Sequence, residues 1–278
     1  MKIHLAQSAG FCFGVKRALE MALATARRQR RVDMFGHIVH NEEVIALVRR
    51  AGVHQIKRLG KGKGRTLLIR AHGVPRALRR QAERRGYRIV DATCPMVKEI
   101  HRIAAAAERS GWPVIIIGDK EHDEVRGIVG QLAKPAIVID RIGAIPHRRL
   151  KGLKKAAIIT QSTQNTEKVF AIVQELERII PRLAFHNTIC GPTRLKQDEI
   201  KSLPLKNDAV IVIGSAASAN TRRLYEIAKN LNPRSHWIQS AHDLKKKWFK
   251  GVKTVGVTAG ASTPDTTTRA VMRALHRF

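Results

Sequence analysis

Five short, uninterrupted apolar runs, each closed by a loop rich in Gly, His, Ser or Thr, constrain this chain more than any other feature. They span residues 66–69, 114–117, 156–159, 209–213 and 254–257. Continuous rather than alternating apolar residues are the pattern of parallel strands buried on both faces. Helical stretches separate them. Val15, Ala18, Leu19 and Ala22, for example, fall on one stripe of the segment 15–27. The alternation predicts an α/β protein.

The loops that follow the runs read Ala71-His72-Gly73, Gly118-Asp119-Lys120-Glu121-His122, Thr160-Gln161-Ser162-Thr163, Gly214-Ser215 and Ala259-Gly260-Ala261-Ser262. In open parallel sheets ligands bind beyond the carboxyl ends of the strands. Any one such loop is explained by turn and N-cap chemistry. Five together suggest several sheets pointing at a shared site.

The chain has three cysteines. Each lies at an expected strand-to-helix joint: Cys12 in Gly10-Phe11-Cys12-Phe13-Gly14, Cys94 after Asp91-Ala92-Thr93 and before Pro95, and Cys190 before Gly191-Pro192. Pro suits the first helical position, and a helix N-terminus lowers a thiol's pKa toward the thiolate. An odd count with no export signal argues against a disulfide framework and leaves inert buried thiols or metal ligands. No closely spaced cysteine pair of the structural-zinc type occurs. Zinc and an iron–sulfur cluster both stay open, and the wide spacing favours the cluster. A [4Fe–4S] cube normally takes four cysteines, so three would leave one iron open for substrate.

The spacings also suggest a repeat. The intervals are 82 and 96 residues, and 28 residues beyond the cysteines stand His40, His122 and Ser218. Three similar α/β domains are expected, at 1–95 (Cys12, His40, His72), 96–190 (His122, Glu124, Ser162, with Cys94 and Cys190 at its boundaries) and 191–278 (Ser218, Asn220, Ser262). His40, His72 and His122 can donate hydrogen bonds to phosphate oxygens. Ser218, Asn220 and Ser262 precede expected helices, where backbone amides favour anions. Glu124 is the candidate proton source.

The net charge is +30 and basic residues occur throughout. Aromatic residues make up 4%, too few for the stacking platforms of single-strand readers. With no zinc-finger or RNP-like motif, the sequence argues against a nucleic-acid partner despite the charge. No apolar stretch approaches the ~20 residues of a membrane span, and a cysteine motif by residue 12 leaves no room for a signal peptide. A cytoplasmic protein is expected.

These motifs identify a resemblance. Gly10-Phe11-Cys12-Phe13-Gly14-Val15, Val39-His40-Asn41, Ala71-His72-Gly73-Val74, Asp91-Ala92-Thr93-Cys94-Pro95 and Glu121-His122-Asp123-Glu124-Val125 occur in order. Thr160-Gln161-Ser162-Thr163, Asn187-Thr188-Ile189-Cys190, Gly214-Ser215 with Ser218-Ala219-Asn220, and Val257 through Asp265 follow. In this set and order the sequence resembles the LytB/IspH family of 4-hydroxy-3-methylbut-2-enyl diphosphate reductases. The resemblance implies a pseudo-threefold trefoil of three small α/β domains around a central [4Fe–4S] cluster held by Cys12, Cys94 and Cys190. It implies an allylic diphosphate held by His40, His72, His122, Ser218, Asn220 and Ser262, its hydroxyl bound at the open iron. Glu124, helped by Ser162 or Thr163, would deliver a proton, with His122 also in the catalytic group. An acidic ferredoxin or flavodoxin would supply electrons.

Four positions depart from the family's usual pattern: Ala219 for serine, Ser162 for threonine, Lys196 for arginine and Asp123 for proline. Ala219 removes one phosphate donor, worth ~1.5–3 kcal/mol. Two rival readings are a quinolinate synthase-like dehydratase with the same three-cysteine plan, and a nucleic-acid-associated protein on a degenerate reductase. The matched loops oppose the first, and intact Cys12, Cys94, Cys190 and Glu124 oppose the second.

Overall fold

The computed structural model describes residues 1–278. The first part of the chain forms β1 (Lys2–Leu5), α1 (Phe13–Arg28), β2 (Val32–Phe35), α2 (Glu42–Arg50), β3 (Val53–Ile56), β4 (Thr66–Ile69), α3 (Arg76–Arg84) and β5 (Arg88–Asp91). Next come α4 (Pro95–Arg109), β6 (Val114–Ile117), α5 (Asp123–Val129), β7 (Ile137–Ile139), α6 (His147–Leu150), β8 (Lys155–Thr160), α7 (Thr166–Glu177) and β9 (Arg182–His186). The rest forms α8 (Gly191–Ser202), β10 (Ala209–Ile213), α9 (Ala219–Leu231), β11 (Ser235–Ile238), β12 (Thr254–Ala259) and α10 (Asp265–Leu275). All five apolar runs are strands, namely β4, β6, β8, β10 and β12.

The strands make three four-stranded sheets, ordered β1-β12-β10-β11, β3-β2-β4-β5 and β7-β6-β8-β9. Every pairing is parallel. The α/β expectation holds. The order also repeats: one edge strand (β1, β5, β9) leads to a cysteine, and its neighbour (β12, β4, β8) is one of the apolar runs.

The chain divides into two compact units. The first comprises Met1–Lys16, Val39–Leu47 and Gly191–Phe278 and contains the sheet β1-β12-β10-β11. Successive side chains of a strand point to opposite faces. Ala209, Ile211 and Ile213 of β10 therefore pack with Val255, Val257 and Val271, while Val210 and Val212 pack with Ile200, Leu224 and Ala228. Burial on both faces is why the run carries no polar alternation. The N-terminal strand joins this sheet, with Lys2 opposite Thr254 and Leu5 opposite Val257. The segment 191–278 supplies only three strands to it. β1 completes the edge that β5 and β9 provide elsewhere, so Met1–Lys16 shares a sheet with the C-terminal segment and a unit with Val39–Leu47, apart from the rest of 1–95.

The second unit comprises Arg17–Ile38 and Val48–Cys190 and contains the other two sheets. In β6, Ile115 and Ile117 pack with Ile158 and with Val169, Ile172 and Val173 of α7. Val114 and Ile116 face Ile100 and Ala104 of α4 and Val125 and Ile128 of α5. Each such side chain contributes about 1.5–3 kcal/mol on burial. Loop contacts join the sheets within this unit: Arg76 N donates to Gly130 O at 3.0 Å and Gln131 Nε2 to Val74 O at 3.0 Å. No helix is long and apolar enough to cross a membrane.

Candidate active site

Each cysteine is outside any disulfide, partly exposed and one residue ahead of a helix: Cys12 before α1, Cys94 before α4, Cys190 before α8. Each backbone amide is pinned in the same way. Cys12 N donates to Ala261 O at 3.1 Å, Cys94 N to Ala71 O at 3.0 Å, and Cys190 N to Ser162 O at 3.0 Å. The three acceptors lie just beyond β12, β4 and β8, the strands next to the cysteine-leading edges. One residue past them stand Ser262, His72 and Thr163. A single device, used three times, thus ties the backbone of each cysteine to a loop that carries a candidate site residue.

In the second unit His72, His122, Glu124 and Ser162 come together. His122 is the N-cap of α5, and Glu124 N donates to its Nδ1 at 3.1 Å. An imidazole that accepts at Nδ1 carries its proton on Nε2, so His122 presents an N–H donor. The His72 ring meets it edge to face, with centroids 5.3 Å apart. Glu124 is 1% exposed. Its Oε1 accepts from Ser162 N at 2.6 Å and its Oε2 from Ser162 Oγ at 2.7 Å. A hydroxyl both donates and accepts, so Ser162 can turn to accept when Oε2 is protonated. Of the two adjacent hydroxyls, Ser162 is the one bonded to Glu124, while Thr163 Oγ1 accepts from Gln161 Nε2 at 3.2 Å.

Two residues that the sequence did not single out frame this group. Arg70, 6% exposed, donates from Nε to Gly73 O at 3.3 Å and from Nη1 to Asp123 Oδ2 at 2.6 Å. It ties the His72 loop to the helix carrying Glu124, through the aspartate that departs from the family's proline. A charged residue at the end of a buried apolar run was the available signal. His101 on α4 fills the space beside Gly73 and Gly127. Gly73 has φ of +72°, and a Cβ there would fall 2.7 Å from His101 Cε1, so glycine is required on both counts.

His101 Nε2 is buried without a hydrogen-bond partner. Burial lowers its pKa from 6.5 to about 4, against the opposing pull of Asp91. The folded state therefore resists protonation while the unfolded state accepts it. The stability this neutral ring contributes is complete above pH 6.5 and is lost as the pH falls toward 4. At about 1.4 kcal/mol per pH unit the loss amounts to roughly 2–3 kcal/mol. Denaturant unfolding of wild type and His101→Gln between pH 7 and 4.5 should show the smaller pH dependence in the variant. Parallel curves would contradict the assignment.

In the first unit Ser218 is the N-cap of α9 and accepts from Thr221 N at 3.3 Å. Asn220 lies within the first turn of α9, not in the preceding loop. It is 5% exposed and its Nδ2 has no hydrogen-bond partner in the protein. A buried amide of this kind calls for an acceptor, and a helix N-terminus favours an anionic one. Ser262 Oγ donates to His40 O at 3.1 Å, and Ser215 Oγ to Glu42 Oε1 at 2.8 Å. His40 and Ser262 are thereby brought together.

Known proteins resemble this chain along nearly its whole length. A family model described as LytB protein matches residues 3–276. A Geobacter sulfurreducens protein named 4-hydroxy-3-methylbut-2-enyl diphosphate reductase is 40% identical over 279 residues, covering 100% of this chain and 98% of that one. An Aquifex aeolicus protein of the same name is 39% identical over 271 residues, covering 95% and 92%. A solved structure of (E)-4-hydroxy-3-methyl-but-2-enyl diphosphate reductase, described as the terminal enzyme of the non-mevalonate pathway, matches with a TM-score of 0.73 and 36% identity. It covers 100% of both chains. The Plasmodium falciparum E-1-hydroxy-2-methyl-but-2-enyl-4-diphosphate reductase matches with a TM-score of 0.89 and 26% identity, over 99% of this chain and 87% of that one. A family match over nearly the full length, with relatives about 40% identical, leaves one conclusion: the chain belongs to the LytB family.

Proposed function

We propose that this protein reductively dehydroxylates 4-hydroxy-3-methylbut-2-enyl diphosphate to isopentenyl and dimethylallyl diphosphates, the last step of the methylerythritol phosphate route. The observation that carries the reading is the threefold clip, in which each cysteine amide bonds the loop that presents Ser262, His72 or Thr163. Family membership implies an iron–sulfur cofactor. The donor set fits one: three part-exposed cysteines, none in a disulfide, each at a helix N-terminus that favours thiolate. We assign Cys12, Cys94 and Cys190 as the ligands of one [4Fe–4S] cluster. When bound, it supplies electrons and an iron without a protein ligand.

The chain's own residues do the rest. His122 offers an Nε2–H donor, and with His40 and His72 it binds the diphosphate. Asn220 supplies its unpartnered amide, Ser218 a hydroxyl whose proton is free to point outward, and Ser262 a further hydroxyl. Glu124 delivers a proton, with Ser162 holding both carboxyl oxygens and able to reverse its hydrogen bond. The balance is one C–O bond broken and one C–H bond formed, with two electrons and two protons consumed and water released. The test is to give the anaerobically reconstituted protein reduced viologen and substrate, and to seek both five-carbon diphosphates by mass spectrometry. A protein with a complete cluster and no product would sink the proposal.

The electrons come from a small acidic protein such as ferredoxin or flavodoxin, and the +30 charge suits such a partner. Steering of this kind is screened by salt. Raising ionic strength from ~0.05 to ~0.5 M should lower kcat/KM for a protein donor about tenfold or more. Turnover with a small viologen should change little over the same range. Equal salt dependence for both donors would remove charge steering from the account.

A further inference from the structure

The Cys12 loop is held from behind by a pair of charged side chains on one helix. Lys196 of α8 is 2% exposed, with its three-donor ammonium aimed at backbone carbonyls. It donates to Ser8 O, to Gly10 O at 3.0 Å and to Ala259 O at 3.1 Å. One turn on, Glu199 accepts from Gln7 N and Ser8 N, each at 3.0 Å, and from the Ser8 hydroxyl. Ala259 O also accepts from Gly10 N at 3.3 Å, so the ammonium reinforces the strand exit on which the Cys12 loop hangs. Gly10 has φ of +95°, and a Cβ there would fall 2.8 Å from Asp265 Oδ1, so the backbone has no slack at that point.

The other two cysteine loops are held differently. Asp91 Oδ1 accepts from Thr93 N at 3.0 Å beside Cys94, and Asn187 Oδ1 from Ile189 N at 3.3 Å beside Cys190. Neither is backed by a buried ammonium. A buried cation is costly unless every one of its hydrogens is bonded, and here three carbonyls of one loop and its neighbouring strand meet that need.

We propose that Lys196 and Glu199 are positioning residues for Cys12, an acid–base clasp on α8 that fixes the backbone presenting this thiol. The proposal rests on reading Cys12 as a cluster ligand. α8 begins at the residue after Cys190, so the helix that clasps one proposed ligand is covalently continuous with another. Lys196 also places a positive charge behind the Cys12 loop, and this favours the reduced, more negative state of a cluster held there. Arginine in place of Lys196 keeps the charge and the donors and should conserve the clasp. Methionine fills similar space and leaves the three carbonyls without the ammonium.

Amide hydrogen exchange on the full-length chain before reconstitution tests the clasp without relying on a cluster. Lys196→Met should accelerate exchange at Gly10 and Cys12 tenfold or more. The amides of Cys94 and Cys190, pinned by the same kind of bond, serve as internal controls and should keep wild-type rates. Lys196→Arg should restore slow exchange. Should Lys196→Met fail to fold, Glu199→Gln should accelerate Gln7 and Ser8 in the same local manner. After reconstitution, redox titration should place the Lys196→Met potential below wild type, with Lys196→Arg near wild type. Unchanged exchange at Gln7 to Cys12 in both variants, or equal acceleration at all three cysteines, would overturn the proposal. Local acceleration in a protein that never takes up iron would keep the clasp and remove the cluster reading instead.

Discussion

Glu124→Gln is expected to lower kcat by about 10²–10⁴-fold, the usual weight of a positioned proton donor, while leaving the fold and cluster uptake intact. Glutamine is nearly isosteric, and its Oε1 still accepts from Ser162 N. Its amide nitrogen cannot accept from Ser162 Oγ as Oε2 does, but the hydroxyl can turn and accept from it. Local bonding survives and only the exchangeable carboxyl proton is lost. KM should stay within a few-fold, because the residues assigned to the diphosphate are untouched. Steady-state kinetics with reduced viologen, on variant and wild type matched for iron content, measure the effect. A variant with wild-type kcat would move proton delivery to another group.

The second large effect is expected from the cysteines. Serine at Cys12, Cys94 or Cys190, each alone, should abolish the brown iron–sulfur absorbance and reduce turnover to background. Serine oxygen is a harder ligand than thiolate and suits iron–sulfur chemistry less well, and the chain has no fourth cysteine to stand in. The fold should persist, since the bonds that pin these positions run through backbone amides, which serine keeps. Iron and acid-labile sulfide analysis with circular dichroism separates the two outcomes. A single serine variant that keeps full iron would remove that cysteine from the ligand set. Zinc in place of iron and sulfide in the native protein would revive the alternative that spacing left open.

Much of this was legible because buried parallel strands cannot hide their composition. β6 reads Val-Ile-Ile-Ile, since its alternate side chains meet α7 on one face and α4 and α5 on the other. The exits from such strands then pointed to His72, His122, Ser162 and Ser262. Edge strands were harder to see. β3 reads Val-His-Gln-Ile with two exposed polar residues, and β11 reads Ser-His-Trp-Ile. The pairing of β1 with β12 was not legible at all. Periodicity marks a strand but not its partner, and Lys2 opposite Thr254 joins the two ends of the chain.

At the site, residue types were readable and hydrogen-bond partners were not. Adjacent hydroxyls at 162 and 163 look interchangeable in sequence, and only the turn after β8 decides that Ser162 meets Glu124 while Thr163 meets Gln161. Lys196 registered as a mere exchange for arginine, because its importance lies in burial against three carbonyls far away in the chain. Arg70 and His101 likewise gain meaning only from the glycines and the helix around them.

The most direct test of the central claim, that this site reduces its substrate and does not merely dehydrate it, is an electron count. Anaerobic, reconstituted protein would be mixed with a measured amount of reduced viologen and excess 4-hydroxy-3-methylbut-2-enyl diphosphate, and viologen oxidation compared with product formed. Two viologen radicals should be oxidised for each five-carbon diphosphate released. Product formed without viologen oxidation, or no product from a protein with a full complement of iron and sulfide, would contradict it.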